Sequence, residues 1–216
     1  MLKTDVFERY GAGTMSRRAF YFVLGSILTW GFFATGVVAN LTANWQPDIW
    51  GLILIAILPF VGIFISHSGN AFLSFVGFNL VVVPFGALLG PALAHAEMGN
   101  PGIVWRTALL TGGVSGLMAA SGLMFPDFYK RVGGALFVAL VCLLIVMIAS
   151  LFIPALQGLT IIHYLGAGLF ALYIGFDMWR ASDIEATLDN AVDVAIALYL
   201  DILNLFLFLL NILKDD

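Results

Sequence analysis

Charge is scarce in this chain. Asp, Glu, Lys and Arg make up 10% of its 216 residues, against roughly 25% in an ordinary soluble domain. With so little charge a chain cannot cover itself with hydrated side chains, which excludes a water-soluble globule. Runs of cations are missing too: the nine Lys and Arg are scattered, so there is no basic patch for nucleic acid. Cysteine occurs once, as Cys142 inside an apolar run. That excludes an intrachain disulfide and a cysteine-ligated metal, and leaves Cys142 as a packing residue. No polar stretch is long enough to fold separately, so residues 1–216 are expected to form a single transmembrane domain.

Apolar length is what the chain has instead. Hydrophobic residues reach 62% and the mean hydropathy is +1.04. About 20 apolar residues span a bilayer as a helix, and seven such runs can be read, at 19–39, 50–66, 71–94, 103–124, 132–154, 159–179 and 191–213. Strands are excluded, because the runs are too long and lack alternating lumen and lipid faces. The expected fold class is therefore all-α, a polytopic integral membrane protein built as a seven-helix bundle. Connections such as "SHSGN" and "PALQG" are short, so neighbouring helices must be antiparallel.

Orientation follows from Lys and Arg. With the N-terminus in the cytoplasm, that side receives Lys3, Arg9, Arg17, Arg18, Lys130, Arg131 and Arg180, and the other side only Arg106 and Lys214. A cytoplasmic N-terminus is the reading, in what is expected to be a bacterial inner membrane. The first run follows Arg17 and Arg18 like a signal peptide, but it exceeds the roughly 7–15 residues of an h-region and is expected to be retained. The last run either crosses fully or dips in and returns.

Small residues in "TGGVSGLMAASG" put Gly112, Gly116 and Ala120 at four-residue spacing, which lets helix backbones approach closely in lipid. That stripe is expected to be a packing seam. Pro84 and Pro91 in the third run are expected to kink it and frame a cavity.

The intramembrane acids carry the functional signal. "ALYLDILNLFLFLL", residues 197–210, holds Asp201 among apolar neighbours. On a helix Asp193, Asp201, Asn204 and Asn211 fall within about 80° of one another, and such a stripe must face protein or water rather than lipid. Asp177 lies in "ALYIGFDMWR", near the end of the sixth run. A short acidic connection, "ASDIEATLDN", makes the two helices antiparallel neighbours, so Asp177 and Asp201 can meet. Two carboxylates in a low-dielectric site cannot both stay ionised cheaply and tend to share a proton. Asn204, Asp193 and His67 are candidate supporting side chains. Asp183, Glu185, Asp189 and Asp193 are read as a solvated face.

These motifs resemble the transmembrane Bax inhibitor motif family, the Bax inhibitor-1-like proteins. "ALYLDILNLFLFLLNIL" is similar to its C-terminal signature and "LFALYIGFD" to that of the sixth segment. "GALLGPALA", followed by "VWRTALLTGGVSGLMAASG", is similar to the third-to-fourth segment pattern. The resemblance implies seven helices with Asp177 and Asp201 as a proton-sharing, pH-sensitive pair. It also implies a calcium leak, in which the two acids make transient calcium contacts, with calcium as cargo and no resident cofactor or metal. Family members are linked in eukaryotes to suppression of cell death, and some bacterial relatives to a membrane-bound protease. The implied partners are the lipid bilayer, calcium or another cation, and a membrane protein. Bacterial relatives can place a basic cluster at the cytoplasmic end of the second segment. Here that region reads "FISHSGN", with His67 as its only titratable side chain.

The expected function is a pH-sensitive cation leak, with calcium as the ion, gated by the aspartate pair. Its alternative is a non-transporting regulator that binds a membrane protease or another partner. Intramembrane proteolysis is a remote third reading. Aspartyl proteases of the membrane carry Gly-x-Gly-Asp, whereas Leu198-Tyr199-Leu200 precedes Asp201; both Pro-Ala-Leu triplets, Pro91-Ala92-Leu93 and Pro154-Ala155-Leu156, come before the acids rather than after. "GVSG" at Ser115 fits the Gly-x-Ser-Gly of rhomboids, but Ser115 is expected mid-segment whereas His163, two segments later, is expected close to the outer end of its helix. The protein is therefore not expected to be an enzyme. His95 and Glu97 supply two ligand types in an expected outer loop, too few for a defined metal site.

Overall fold

The computed structural model describes residues 13–156 and 159–215. Lys3 and Arg9 of the charge count, and Gln157 and Gly158 of the "PALQG" connection, lie outside these residues. Seven helices follow one another: α1 Arg17–Leu41, α2 Ile49–Ser66, α3 Ala71–Gly99, α4 Ile103–Met124, α5 Pro126–Ser150, α6 Thr160–Asp183 and α7 Leu188–Asp215. Among the described residues there is no strand. All seven are long and apolar enough to cross a membrane. The shortest, α2, has 18 residues, or about 27 Å at 1.5 Å each.

Local chemistry sets the helix ends. Ser16 caps α1 by accepting from Ala19 N–H at 3.2 Å, and Asp48 caps α2 by accepting from Gly51 N–H at 2.9 Å. α5 starts at Pro126 rather than 132, with proline in the first turn, where its missing N–H costs nothing. It ends at Ser150 rather than 154, and Pro154 falls in a separate 3₁₀ turn, Pro154–Leu156. α3 continues past 94 to Gly99, which puts His95 and Glu97 on its last turns instead of in a loop. α7 is one unbroken helix of 28 residues. It contains no turn at which the chain could reverse, so the dip-and-return reading of this run finds no support in the fold.

The described residues form two compact units, one of residues up to 99 together with 183–199, the other of 100–182 with 200 onward. In the first, α3 packs against α1 and α2. A side chain at Gly62 or Gly77 would strike the other's carbonyl oxygen, so α2 and α3 cross backbone to backbone there. One turn apart on α3, Gly86 and Gly90 admit α1 at Thr35, Val38 and Ala39 and its C-cap residue Thr42. Tyr199 is fully buried, with its hydroxyl 2.7 Å from Thr35 Oγ1 and its ring against Phe32, Phe78 and Phe85.

In the second unit, the backbones of α4 and α6 meet where Gly122 abuts the Gly175 carbonyl. Tyr129 of α5 lies against Gly175, and its hydroxyl is 2.5 Å from Ser121 Oγ. Gly166 of α6 accommodates the Phe208 ring of α7. The expected seam is elsewhere. Gly112 and Gly116 have nothing within 4 Å of where a side chain would begin, and Ala120 is exposed. α4 buries a different face: Ile103, Thr107, Thr111, Ser115 and Gly122.

Candidate functional site

α6 and the second half of α7 bring Asp177 and Asp201 together. Both are buried, at 7% and 8% exposure, and their carboxyl groups lie within hydrogen-bonding reach of one another. Each projects from a largely apolar helix, on which a carboxyl turned towards lipid would be costly.

A cation accompanies the pair. Arg180, one turn beyond Asp177, donates from Nη1 to Asp177 Oδ1 at 3.1 Å. Its guanidinium also lies 5.5 Å from the centroid of the Phe176 ring, a distance at which the ring face attracts a cation. Tyr173, one turn before Asp177, is close enough to interact electrostatically with both aspartates and with Arg180. The second oxygen of Asp201, Oδ2, has no hydrogen-bond partner among the described residues. The cluster therefore holds two acids, one base and a phenol, with spare acceptor capacity on Asp201. Such a set can keep one proton between the acids while the guanidinium balances the remaining negative charge.

The other expected residues fall elsewhere. Asn204 is half-buried and donates from Nδ2 to Leu200 O at 2.8 Å, and Asn211 does the same to Leu207 O at 3.0 Å. The asparagines of the polar stripe thus turn back on their own helix. Asp193 is buried in the first unit, at 3% exposure. His67 is exposed, with Nδ1 2.7 Å from Ile63 O and 3.3 Å from Ser66 Oγ. Part of the acidic face is not solvated. Asp183 is exposed, but Asp189 is buried with Oδ1 2.5 Å from the Ser74 hydroxyl. Asp189 sits in the first turn of α7, where the free N–H groups of a helix start favour an acid.

Arg180 and Tyr173 were the side chains overlooked. In the sequence Arg180 stands out only as an orientation charge, although its three-residue spacing from Asp177 is the spacing at which helical side chains meet. Ser115 Oγ and His163 Nδ1 are both buried without a hydrogen-bond partner among the described residues, so no hydrogen bond links them as a dyad. No group of three or more His, Cys, Asp or Glu able to hold a metal occurs among the described residues.

Seven membrane-length helices and a buried acid–base cluster define a polytopic integral membrane protein. Its relatives are bacterial. A Helicobacter pylori J99 protein named only as uncharacterized is 31% identical over 203 residues, 91% of this chain and 84% of its own. A Campylobacter jejuni protein is 25% identical over 197 residues, 91% and 76% respectively. A Vibrio cholerae protein named "Uncharacterized membrane protein" is 33% identical over 130 residues, 59% and 57%. The profile of the Bax1-I family, "Inhibitor of apoptosis-promoting Bax1", matches residues 15–216, and this chain belongs to that family.

Proposed function

We propose that this protein is a pH-sensitive leak path for cations, with calcium as the physiological ion, in which Asp177 and Asp201 share one proton in the closed state. The observation that carries this reading is the approach of two buried carboxyl groups on adjoining helices. Two ionised carboxylates would repel at that range, whereas a single proton makes the contact attractive. Loss of the proton leaves two negative charges against one guanidinium, which separates the acids and draws in a cation. The sign follows directly: flux rises as pH rises. The excess of Lys and Arg on one side favours a cytoplasmic N-terminus in a bacterial inner membrane.

Calcium flux into proteoliposomes, followed across pH for the native protein and Asp201→Asn, tests the reading. The native protein is expected to leak more at alkaline pH, and the asparagine variant to lose that dependence. Absence of flux, or an unaltered pH response in the variant, rejects it. A second reading draws support from the open stripe of α4. Among the described residues nothing lies within 4 Å of where a side chain at Gly112 or Gly116 would begin, which suits close approach by a partner helix, as a non-transporting regulator of a membrane protease would require. Co-purification of a protease with a protein that carries no ion would favour that reading.

A further inference from the structure

Within the second unit, the acid pair cannot by itself seal a path. Asp177 stands under two turns from the end of α6 at Asp183, whereas its other end is at Thr160. From Asp177 to Thr160 is about 26 Å of helix, close to the roughly 30 Å of a bilayer's hydrocarbon core. Loss of the shared proton leaves that whole length still to be crossed.

The facing sides of α6 and α7 show what occupies it. Two turns of helix take about seven residues, so Asp177, Phe170 and His163 share one stripe of α6, and Asp201 and Phe208 share one stripe of α7. The stripes meet rung by rung. Asp177 is within hydrogen-bonding reach of Asp201. Phe170 and Phe208, both buried, stack with ring centroids 5.8 Å apart and planes at 23°. His163 follows, its ring centroid 6.1 Å from that of Phe208. Gly166 gives the aromatic rung its seat. A side chain there would begin 2.5 Å from Phe208 Cε1 and Cζ, so the ring lies against the bare α6 backbone.

A polar atom without a partner lies on each side of these rings. Asp201 Oδ2 is on one side and His163 Nδ1 on the other, both buried and both without a hydrogen-bond partner among the described residues. Packing alone does not ask for this, because an unpaired buried polar atom costs stability that an apolar side chain would not. Between the two atoms the seam is aromatic, and a hydrophobic constriction stops ions by excluding the water that would carry them. We propose that Phe208, stacked on Phe170, is the permeability barrier of the leak path, and that His163 is the first polar contact beyond it. This rests on the leak reading above and supplies its missing part, the element that bars ions from the outer half of the seam. The acids set when a cation is drawn in; the rings set whether water follows.

The position of the barrier is read without any flux, by thiol labelling of the full chain carrying Cys142→Ser. Asn204→Cys puts a thiol on α7 between Asp201 and Phe208, and His163→Cys puts one beyond the rings. A membrane-impermeant maleimide added outside spheroplasts is expected to label His163→Cys about tenfold faster or more, the scale set by one buried apolar side chain. Adding Phe208→Ser is expected to bring the two rates together, whereas Phe208→Leu, which stays apolar, is expected to keep them apart. Where Phe208→Ser does not fold, Gly166→Ala takes its place, since its methyl must displace the ring. His163→Cys left unlabelled, or Asn204→Cys labelled as fast with Phe208 present, overturns the proposal. So does an Asn204→Cys that stays shielded after the ring is removed or displaced. Calcium flux in proteoliposomes separates this from the leak reading. The expected labelling with no flux at any pH rejects the leak and keeps Phe208 as the water barrier of the seam. Flux that rises with pH while Asn204→Cys labels as fast as His163→Cys rejects the barrier alone.

Discussion

α5 and α7 are of similar length, 25 and 28 residues, and α5 is the more apolar. Yet 11% of the residues in the apolar stretch of α5 are buried within the protein, against 50% in that of α7. In water this order would be inverted. In lipid it is what physics requires, because acyl chains are as apolar as leucine and nothing drives an apolar helix inward. α5 buries only Tyr129, Leu136 and Leu143, a single line at seven-residue spacing, and leaves Phe137, Val138, Leu144, Ile145 and Ile148 exposed. α7 has no exposed residue from Asp189 to Leu213. Its acids and asparagines must be shielded, and the rest of the helix is carried in with them.

The comparison is broken or sharpened first by aromatic truncation. Tyr199→Ala removes a fully buried ring and its hydrogen bond to Thr35, and is expected to cost about 3–5 kcal/mol. Phe137→Ala, at a residue 64% exposed, is expected to stay within about 0.5 kcal/mol. Equilibrium unfolding in detergent measures both, and equal losses would mean that α5 is buried in the working protein. Next come the two glycine stripes of α4. A methyl at Gly122 meets the Gly175 carbonyl, whereas one at Gly116 meets nothing. Gly122→Ala is expected to destabilise by about 1–3 kcal/mol through overpacking. Gly116→Ala should be neutral in the isolated protein, and a loss there would reveal a partner helix from another molecule.

Much of this was legible in the sequence, and each miss has a physical reason. All seven helices follow from apolar runs, since only a helix satisfies its own backbone in lipid. The start of α5 was missed because Asp127, Lys130 and Arg131 pulled the boundary inward, although Pro126 marks a helix start. The spacing of Gly112 and Gly116 on α4 points to a seam there because spacing marks where close approach is allowed, not which face is used. The close backbone approaches fall instead at Gly62 and Gly77, at Gly86 and Gly90, and on α4 at Gly122. The burial of Asp177 and Asp201 was legible because a carboxylate inside an apolar run has few outlets. Asp189 was not, because a polar stretch reads as solvated until the neighbouring Ser74 is known.

Arg180 gives a small expected effect on stability and the sharpest test of the acid pair itself. Its side chain is 23% exposed and that of Asp177 10%, so part of the ion pair is screened by solvent, and Arg180→Gln should cost only about 1 kcal/mol. Its effect on flux should be larger than this. Without the guanidinium, the charge left by the first proton loss has no partner on α6, so the rise of flux should move to higher pH. Arg180→Lys restores the charge but not the planar fork or its seat on Phe176, and should recover only part of the native profile. Since Lys and Gln both remove the fork while only Lys keeps the charge, the difference between their profiles isolates electrostatics from packing. Identical profiles for Gln and Lys would assign Arg180 to helix-end packing and leave the aspartates as the whole of the switch.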